Sequence, residues 1–436
     1  MEAELSSAER RVIDEVTKLE PFLVELTAKL VRVPSVSPAL QEADAADGGE
    51  ARVNDAVREV MDDCGLEVAS VEVEPGRLNV VGTLRGAGGG PSLGFNGHID
   101  TVPAFVEQGW DEDPWSGAVR DGRVWGRGST DMKGGVAAMV VAATAITNAG
   151  VGLRGDVVLQ SVCGEEMAEP AGTRAVLAAG FRPDACINAE PSMDRLSGEL
   201  AIHPVSNGAI LLRVTLSGKA THSALRQEWL YPGGRPFVGV NSLEKGVDLV
   251  KAVQDLERSW AFTKQHPLFP PGKFVIHPGY FHSAPPGGSG PHFPTETCVI
   301  EWIIYHHPDE PAEVTKREIE QYIVGWAARD PWLRDHPPKV DFYLELANFA
   351  IDPAHPLVRT VGAAYRDVTG RAAPVNGFLA GSDATFLCES GIPTVIHGPG
   401  EVSVAHMTNE YVEIDQLHRA ARTYALAAMR WCQIDE

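Results

Sequence analysis

An alternation of short apolar runs with helical stretches, present toward both ends of the chain and broken in the middle, constrains the fold most. The runs 78–84, 92–96, 156–163 and 185–189 are each of strand length, and they alternate with helical segments such as the Gly/Ala-rich 134–149. This rhythm predicts an α/β fold with three layers around a mixed, mostly parallel sheet. Ahead of it, Ser6-Ser7-Ala8-Glu9 has the form of a capping box, and the amphipathic run 9–30 reads as helix interrupted near Pro21.

The middle of the chain follows another pattern, with strand 209–217, helix 243–262, strand 298–305, helix 312–328 and strand 340–346. That order suits a small α+β insertion with its helices on one face. Pro/Gly-rich loops at 231–236 and 284–291 are candidate binding or contact loops. From Pro356 the first rhythm returns, through a helix at 357–369, a strand at 393–397 and a closing helix at 414–431. The chain of 436 residues is too long for one ordinary core. The expected division is a domain built from 1–202 and 346–436, with 203–345 inserted.

Charge narrows the choice of partners. Against 59 acidic residues there are 37 basic ones, a net charge of -22, so phosphate backbones and anionic lipid are repelled. Neither nucleic acid nor a membrane is an expected partner. The segment 1–20 is charged, without the apolar core of a signal peptide, and no run reaches the roughly 18 apolar residues of a membrane span. The six cysteines are scattered, with no C-x-x-C pair, as in a protein kept reduced. A cytoplasmic location is the expectation.

Residues suited to metal ligation gather where predicted strands end. In Asn96-Gly97-His98-Ile99-Asp100 an imidazole ends a strand, with a carboxylate two residues on. Residues i and i+2 of an extended segment share a face, so Asp100 can accept the second N–H of His98 and fix its tautomer. An isolated H-x-D is more often a histidine satisfied by a local turn. Gly126-Arg127-Gly128-Ser129-Thr130-Asp131 places Asp131 just before the Gly/Ala-rich helix, where alone it reads better as a cap. Cys163-Gly164-Glu165-Glu166 ends an apolar strand with two adjacent carboxylates, either a solvated pair or a pair compensated by a bound cation or a proton. Carboxylates and a histidine recur at Asn188-Ala189-Glu190-Pro191 and at Val404-Ala405-His406-Met407-Thr408-Asn409-Glu410. Two histidines, three carboxylates and a spare glutamate suffice to hold two borderline cations that share an aspartate.

In these motifs, taken in order from about Leu26 to Trp431, the chain resembles the di-zinc aminoacylase and carboxypeptidase family. That family includes acetylornithine deacetylase, succinyl-diaminopimelate desuccinylase and bacterial glutamate carboxypeptidases. The resemblance implies His98 and Glu190 as ligands of one metal, Glu166 and His406 of the other, and Asp131 as the bridging ligand, with the Asp131–Met132 peptide cis. It implies Glu165 as general base, activating a metal-bridging water, and Asp100 as the carboxylate behind His98. The metals would be two divalent ions, zinc by preference, with cobalt or manganese as alternatives. The insertion 203–345 corresponds to the family's lid and dimerisation domain. Its Gly218-Lys219-Ala220-Thr221-His222-Ser223 matches a lid histidine that, in dimeric relatives, reaches the partner's site and stabilises the oxyanion.

Many relatives acting on acylated amino acids hold the substrate carboxylate with an arginine near the end of a lid strand, whereas Glu301-Trp302-Ile303-Ile304-Tyr305-His306-His307 has none. Arg226 and Arg235 are the remaining candidate anion contacts, each equally readable as a loop charge. The segments Leu256-Glu257-Arg258-Ser259-Trp260 and Asp330-Pro331-Trp332-Leu333-Arg334 look more like a subgroup that includes formylaminopyrimidine deformylase. The implied function is hydrolysis of an N-acyl or N-formyl amide of a small molecule by a homodimer. A carboxypeptidase or dipeptidase is the alternative within the family; Glu190 resembles the deacylase and carboxypeptidase branch, where aminopeptidases more often carry aspartate. A metal-binding module without turnover is the alternative outside enzymes, and the spare base Glu165 argues against it.

Overall fold

The computed structural model describes residues 5–41, 48–105, 107, 109–230, 237–285 and 292–435. The loop 231–236, with Arg235, and the stretch 286–291 lie outside the described residues. Two compact units are present. One contains the described residues up to Val205, Phe349–Phe378 and those from Ser382 onward; the other contains the described residues of Ser206–Asn348 and Leu379–Gly381.

The first unit is built on an eight-stranded sheet. Its strands run in the order Glu67–Glu72, Leu78–Leu84, Val157–Val162, Leu93–His98, Ala185–Asn188, Thr394–Ile396, Ile202–Ser206 and Val375–Phe378. The four strands from Val157–Val162 to Thr394–Ile396 pair in parallel and carry the site; antiparallel pairs flank them. Along Val157–Val162, Val157 and Leu159 join one core and Val158 and Val162 another, so alternation fills both faces. The larger core contains helices Ser7–Val31, Gly49–Asp63, Gly134–Asn148, Pro356–Thr369 and Ile414–Cys432. Thr173–Ala178 and Ala384–Glu389 contribute to the smaller cores.

Local sequence explains the elements that frame the site. In Gly134–Asn148 every residue through Ile146 is buried, so the helix has no polar face and small residues set how closely it can approach the sheet. A Cβ at Gly135 would lie 2.4 Å from the Ala189 carbonyl oxygen, so only glycine lets the helix meet the strand end beside Glu190. The capping box forms as expected, with the Ser6 N–H donating to Glu9 at 2.8 Å and the Glu9 N–H to Ser6 Oγ at 3.2 Å. The helix is not interrupted at Pro21. It runs unbroken over Ser7–Val31 because Pro21 faces solvent, while buried Val16, Leu23 and Leu26 anchor the turns on either side.

The second unit is a four-stranded antiparallel sheet, ordered Val275–His282, Thr297–His306, Gly208–Ser217 and Lys339–Leu346, with helices Ser242–Thr263 and Ala312–Ala327. Period-two burial puts Ile210, Leu212, Val214 and Leu216 in the core together with Ile300, Trp302 and Ile304. Val275–His282 is a strand missing from the sequence expectation, since Pro278 and Gly279 break its apolar pattern where the register shifts. No helix among the described residues is long and apolar enough to cross a membrane, and all six cysteines are free.

Candidate metal centre

Open α/β sheets present their sites beyond the carboxyl ends of parallel strands. Here His98 ends its strand, Glu165 and Glu166 follow Val157–Val162, and Glu190 follows Ala185–Asn188. Two groups of possible ligands result, His98 with Glu165 and Glu190, and Asp131 with Glu166 and His406; within each group the donor atoms lie within 4.8 Å of one another.

Asp131 joins the two groups. Its Oδ1 is 3.1 Å from His98 Nε2 and its Oδ2 is 3.3 Å from His406 Nε2. Glu166 Oε2 is 3.1 Å from His406 Nε2, while Glu190 Oε1 and Glu165 Oε2 lie 3.5 Å and 3.6 Å from His98 Nε2. The side chain of His406 is 52% exposed, so the centre opens on that side. The Asp131–Met132 peptide is cis, as the resemblance implies.

Asp100 faces His98 Nδ1 with both its backbone carbonyl and its carboxylate. Nδ1–H of His98 donates to the backbone carbonyl of Asp100 at 3.0 Å, which directs Nε2 toward the carboxylates. The Asp100 carboxylate, 3.5 Å from Nδ1, also accepts the backbone N–H groups of Glu165 and Glu166, both at 3.1 Å. Asp100 therefore organises the turn that presents the paired glutamates. Gly164, at φ 74°, begins that turn in a conformation that favours glycine.

Burial pushes Glu165, Glu190 and Glu166 upward, and neighbouring carboxylates add to this. Burial alone would lower His98, yet the adjacent Glu165, Asp100 and Asp131 hold it well above the ordinary range. For His406, bonds to Asp131 and Glu166 outweigh burial and raise it to about 11. Burial opposes ionisation of Asp131, but the two histidines hold it down. Such a crowd of carboxylates around two histidines has an excess of negative charge that divalent cations would neutralise. Imidazole and carboxylate donors arranged around a shared aspartate fit two borderline divalent ions.

The seven residues His98, Asp100, Asp131, Glu165, Glu166, Glu190 and His406 thus come together in one unit. His222 belongs to the other unit, where it is exposed and its Nδ1 accepts the Ala224 N–H at 3.1 Å. Arg226 is paired with Glu244 at 2.5 Å. Two buried features were missed. Asp383 accepts the Thr173 hydroxyl at 2.7 Å, and burial raises it to about 6. Arg127 and Glu410 form a buried ion pair beside Asp131. Arg127 and Glu410 lie within motifs singled out from the sequence, but no spacing rule pairs them, and Asp383 lies in none.

Residues 94–430 match the profile of Peptidase family M20/M25/M40. The chain belongs to this family. M20 relatives with curated names include two N-formyl-4-amino-5-aminomethyl-2-methylpyrimidine deformylases. The one from Halalkalibacterium halodurans is 32% identical over 432 residues, covering 96% of each chain, and the one from Bacillus subtilis is 30% identical over 422 residues, covering 94% of each. Among solved structures, human carnosine dipeptidase 1 superposes with a TM-score of 0.73 at 16% identity, covering 99% of this chain and 100% of that one, which speaks for the shared M20 fold. As a member of M20 this chain is a metal-dependent hydrolase of carbon–nitrogen amide bonds.

Proposed function

We propose that this enzyme removes a formyl or similarly short acyl group from the amine of a small heterocyclic molecule, using two divalent metal ions, zinc by preference. The observation that carries the metal reading is Asp131, whose two carboxylate oxygens each face a histidine of a different ligand group. His98 and Glu190 would hold one ion, Glu166 and His406 the other, and Asp131 both. The substrate class is supported by the named deformylases, which align with nearly the whole chain. The lack of arginine in 301–307 agrees with a substrate that carries no carboxylate to clamp.

When bound, the ions would polarise the scissile carbonyl and lower the pKa of water between them. Glu165, beside His98 and presented by Asp100, takes the proton of the attacking water and returns it to the departing amine. The second unit acts as a lid and dimerisation domain, and His222 stabilises the oxyanion in the partner's site.

The test is turnover by protein loaded with zinc, cobalt or manganese on a panel containing N-formyl aminomethylpyrimidine, N-acetylornithine, N-succinyl-diaminopimelate and dipeptides. The formylated pyrimidine should give the highest kcat/KM. Preferential cleavage of dipeptides would replace this reading with a peptidase, and bound metal without hydrolysis of any substrate would favour a binding module.

A further inference from the structure

We propose that Glu410 and Arg127 form a buried brace that positions Asp131 relative to His406, an inference that rests on reading those two residues as metal ligands. The strands Arg123–Trp125 and Tyr411–Glu413 pair antiparallel, with Tyr411 opposite Trp125. This pairing brings the residues just beyond its end together, and the Gly126 N–H donates to the Glu410 carbonyl at 2.8 Å. Arg127 Nη1 then meets Glu410 Oε2 at 2.5 Å, with both residues buried.

The second oxygen of Glu410 faces the metal centre's scaffold. Glu410 Oε1 accepts the backbone N–H of Thr130 at 3.0 Å and of Asp131 at 3.3 Å. The Thr130 hydroxyl donates to the Tyr411 carbonyl at 2.8 Å, tying the same turn to the same strand. Arg127 Nη2 reaches the Pro103 carbonyl at 3.3 Å, on the loop that follows His98 and Asp100. One carboxylate and one guanidinium thus link the turn that carries Asp131 and the loop that follows His98 to the segment of His406, which lies four residues before Glu410.

A buried ion pair contributes little net stability over apolar residues of similar volume. Apolar residues cannot, however, accept the N–H groups of Thr130 and Asp131, which would lose this partner. The pair is therefore assigned a positioning role, distinct from a merely structural one.

Two variants separate these roles. Glu410→Asp keeps the charge for Arg127 but withdraws the acceptor by one carbon–carbon bond, about 1.5 Å. The double variant Arg127→Met/Glu410→Met removes both charges and the acceptor. Each is loaded with Co2+ and compared with the wild type by its visible absorption spectrum, its rate of cobalt release to excess EDTA, and its thermal unfolding without metal. The expected result is an altered cobalt spectrum and release faster by about tenfold or more in both variants, with metal-free unfolding of Glu410→Asp near that of the wild type. If Arg127→Met/Glu410→Met does not fold, Glu410→Asp decides alone. A wild-type spectrum and release rate in Glu410→Asp would overturn the brace. Wild-type protein that takes up no cobalt would overturn the metal reading and the brace with it, a result distinct from variants that bind as the wild type does.

Discussion

Replacing Glu165 by Gln tests which member of the glutamate pair handles protons. Its carboxylate is 3.6 Å from His98 Nε2, almost the same as the 3.5 Å of Glu190, so distance alone admits it as a ligand. The proposed mechanism makes it the base, and the two roles predict opposite metal contents. Glutamine keeps the size of the side chain and removes one negative charge from a crowd in which burial and Glu190 already push Glu165 upward. If Glu165 is the base, His98, Glu190 and the shared Asp131 remain to hold the metal, and content stays near wild type. General-base catalysis is worth about 10²–10⁴-fold, or about 2.7–5.4 kcal/mol of barrier, so kcat and kcat/KM should fall together by at least 100-fold or so. The assay is elemental analysis and turnover on one sample. Metal lost in proportion to activity would make Glu165 a ligand and reverse the assignments of the pair. Activity retained with full metal content would refute the mechanism.

Three further outcomes are expected. Glu166→Ala should release one metal and lose activity with it, because its carboxylate is 3.1 Å from His406; metal analysis showing full content would remove Glu166 from the ligand set. Mixing His222→Ala subunits with Glu165→Gln subunits should restore part of the activity if His222 serves the partner's site, and no gain despite verified subunit exchange would count against that. Burial alone would raise Glu9, but bonds from Arg430 and Ser6 hold it below the ordinary carboxylate range. The charged form therefore stabilises the native state above about pH 4.5, and this contribution is lost as pH falls through the lowered native value. Glu9→Ala should cost about 1–2 kcal/mol at neutral pH, with the difference narrowing in acid; urea unfolding across that range would show a constant difference if the charge plays no part.

The amino-acid sequence by itself determined the elements whose information is local. Leu78–Leu84 and Gly134–Asn148 follow from periodicity and composition, the start of the first helix from Ser6 and Glu9, and the placement of His98, Glu166 and Glu190 from apolar runs that end in ligand-type residues. Tertiary structure decided what depends on partners distant in the chain. The helix passes through Pro21 because packing on both sides outweighs one missing N–H. Val275–His282 is a strand because Thr297–His306 supplies its register in spite of Pro278. The Asp100 carboxylate, besides lying 3.5 Å from the imidazole two residues back, accepts the Glu165 and Glu166 amides, 65 and 66 residues away. Glu410 meets Arg127 across 283 residues. Strand and helix patterns arise from neighbours along the chain, whereas a buried charge takes whichever partner folding brings within hydrogen-bond reach, and no spacing in the sequence records that choice.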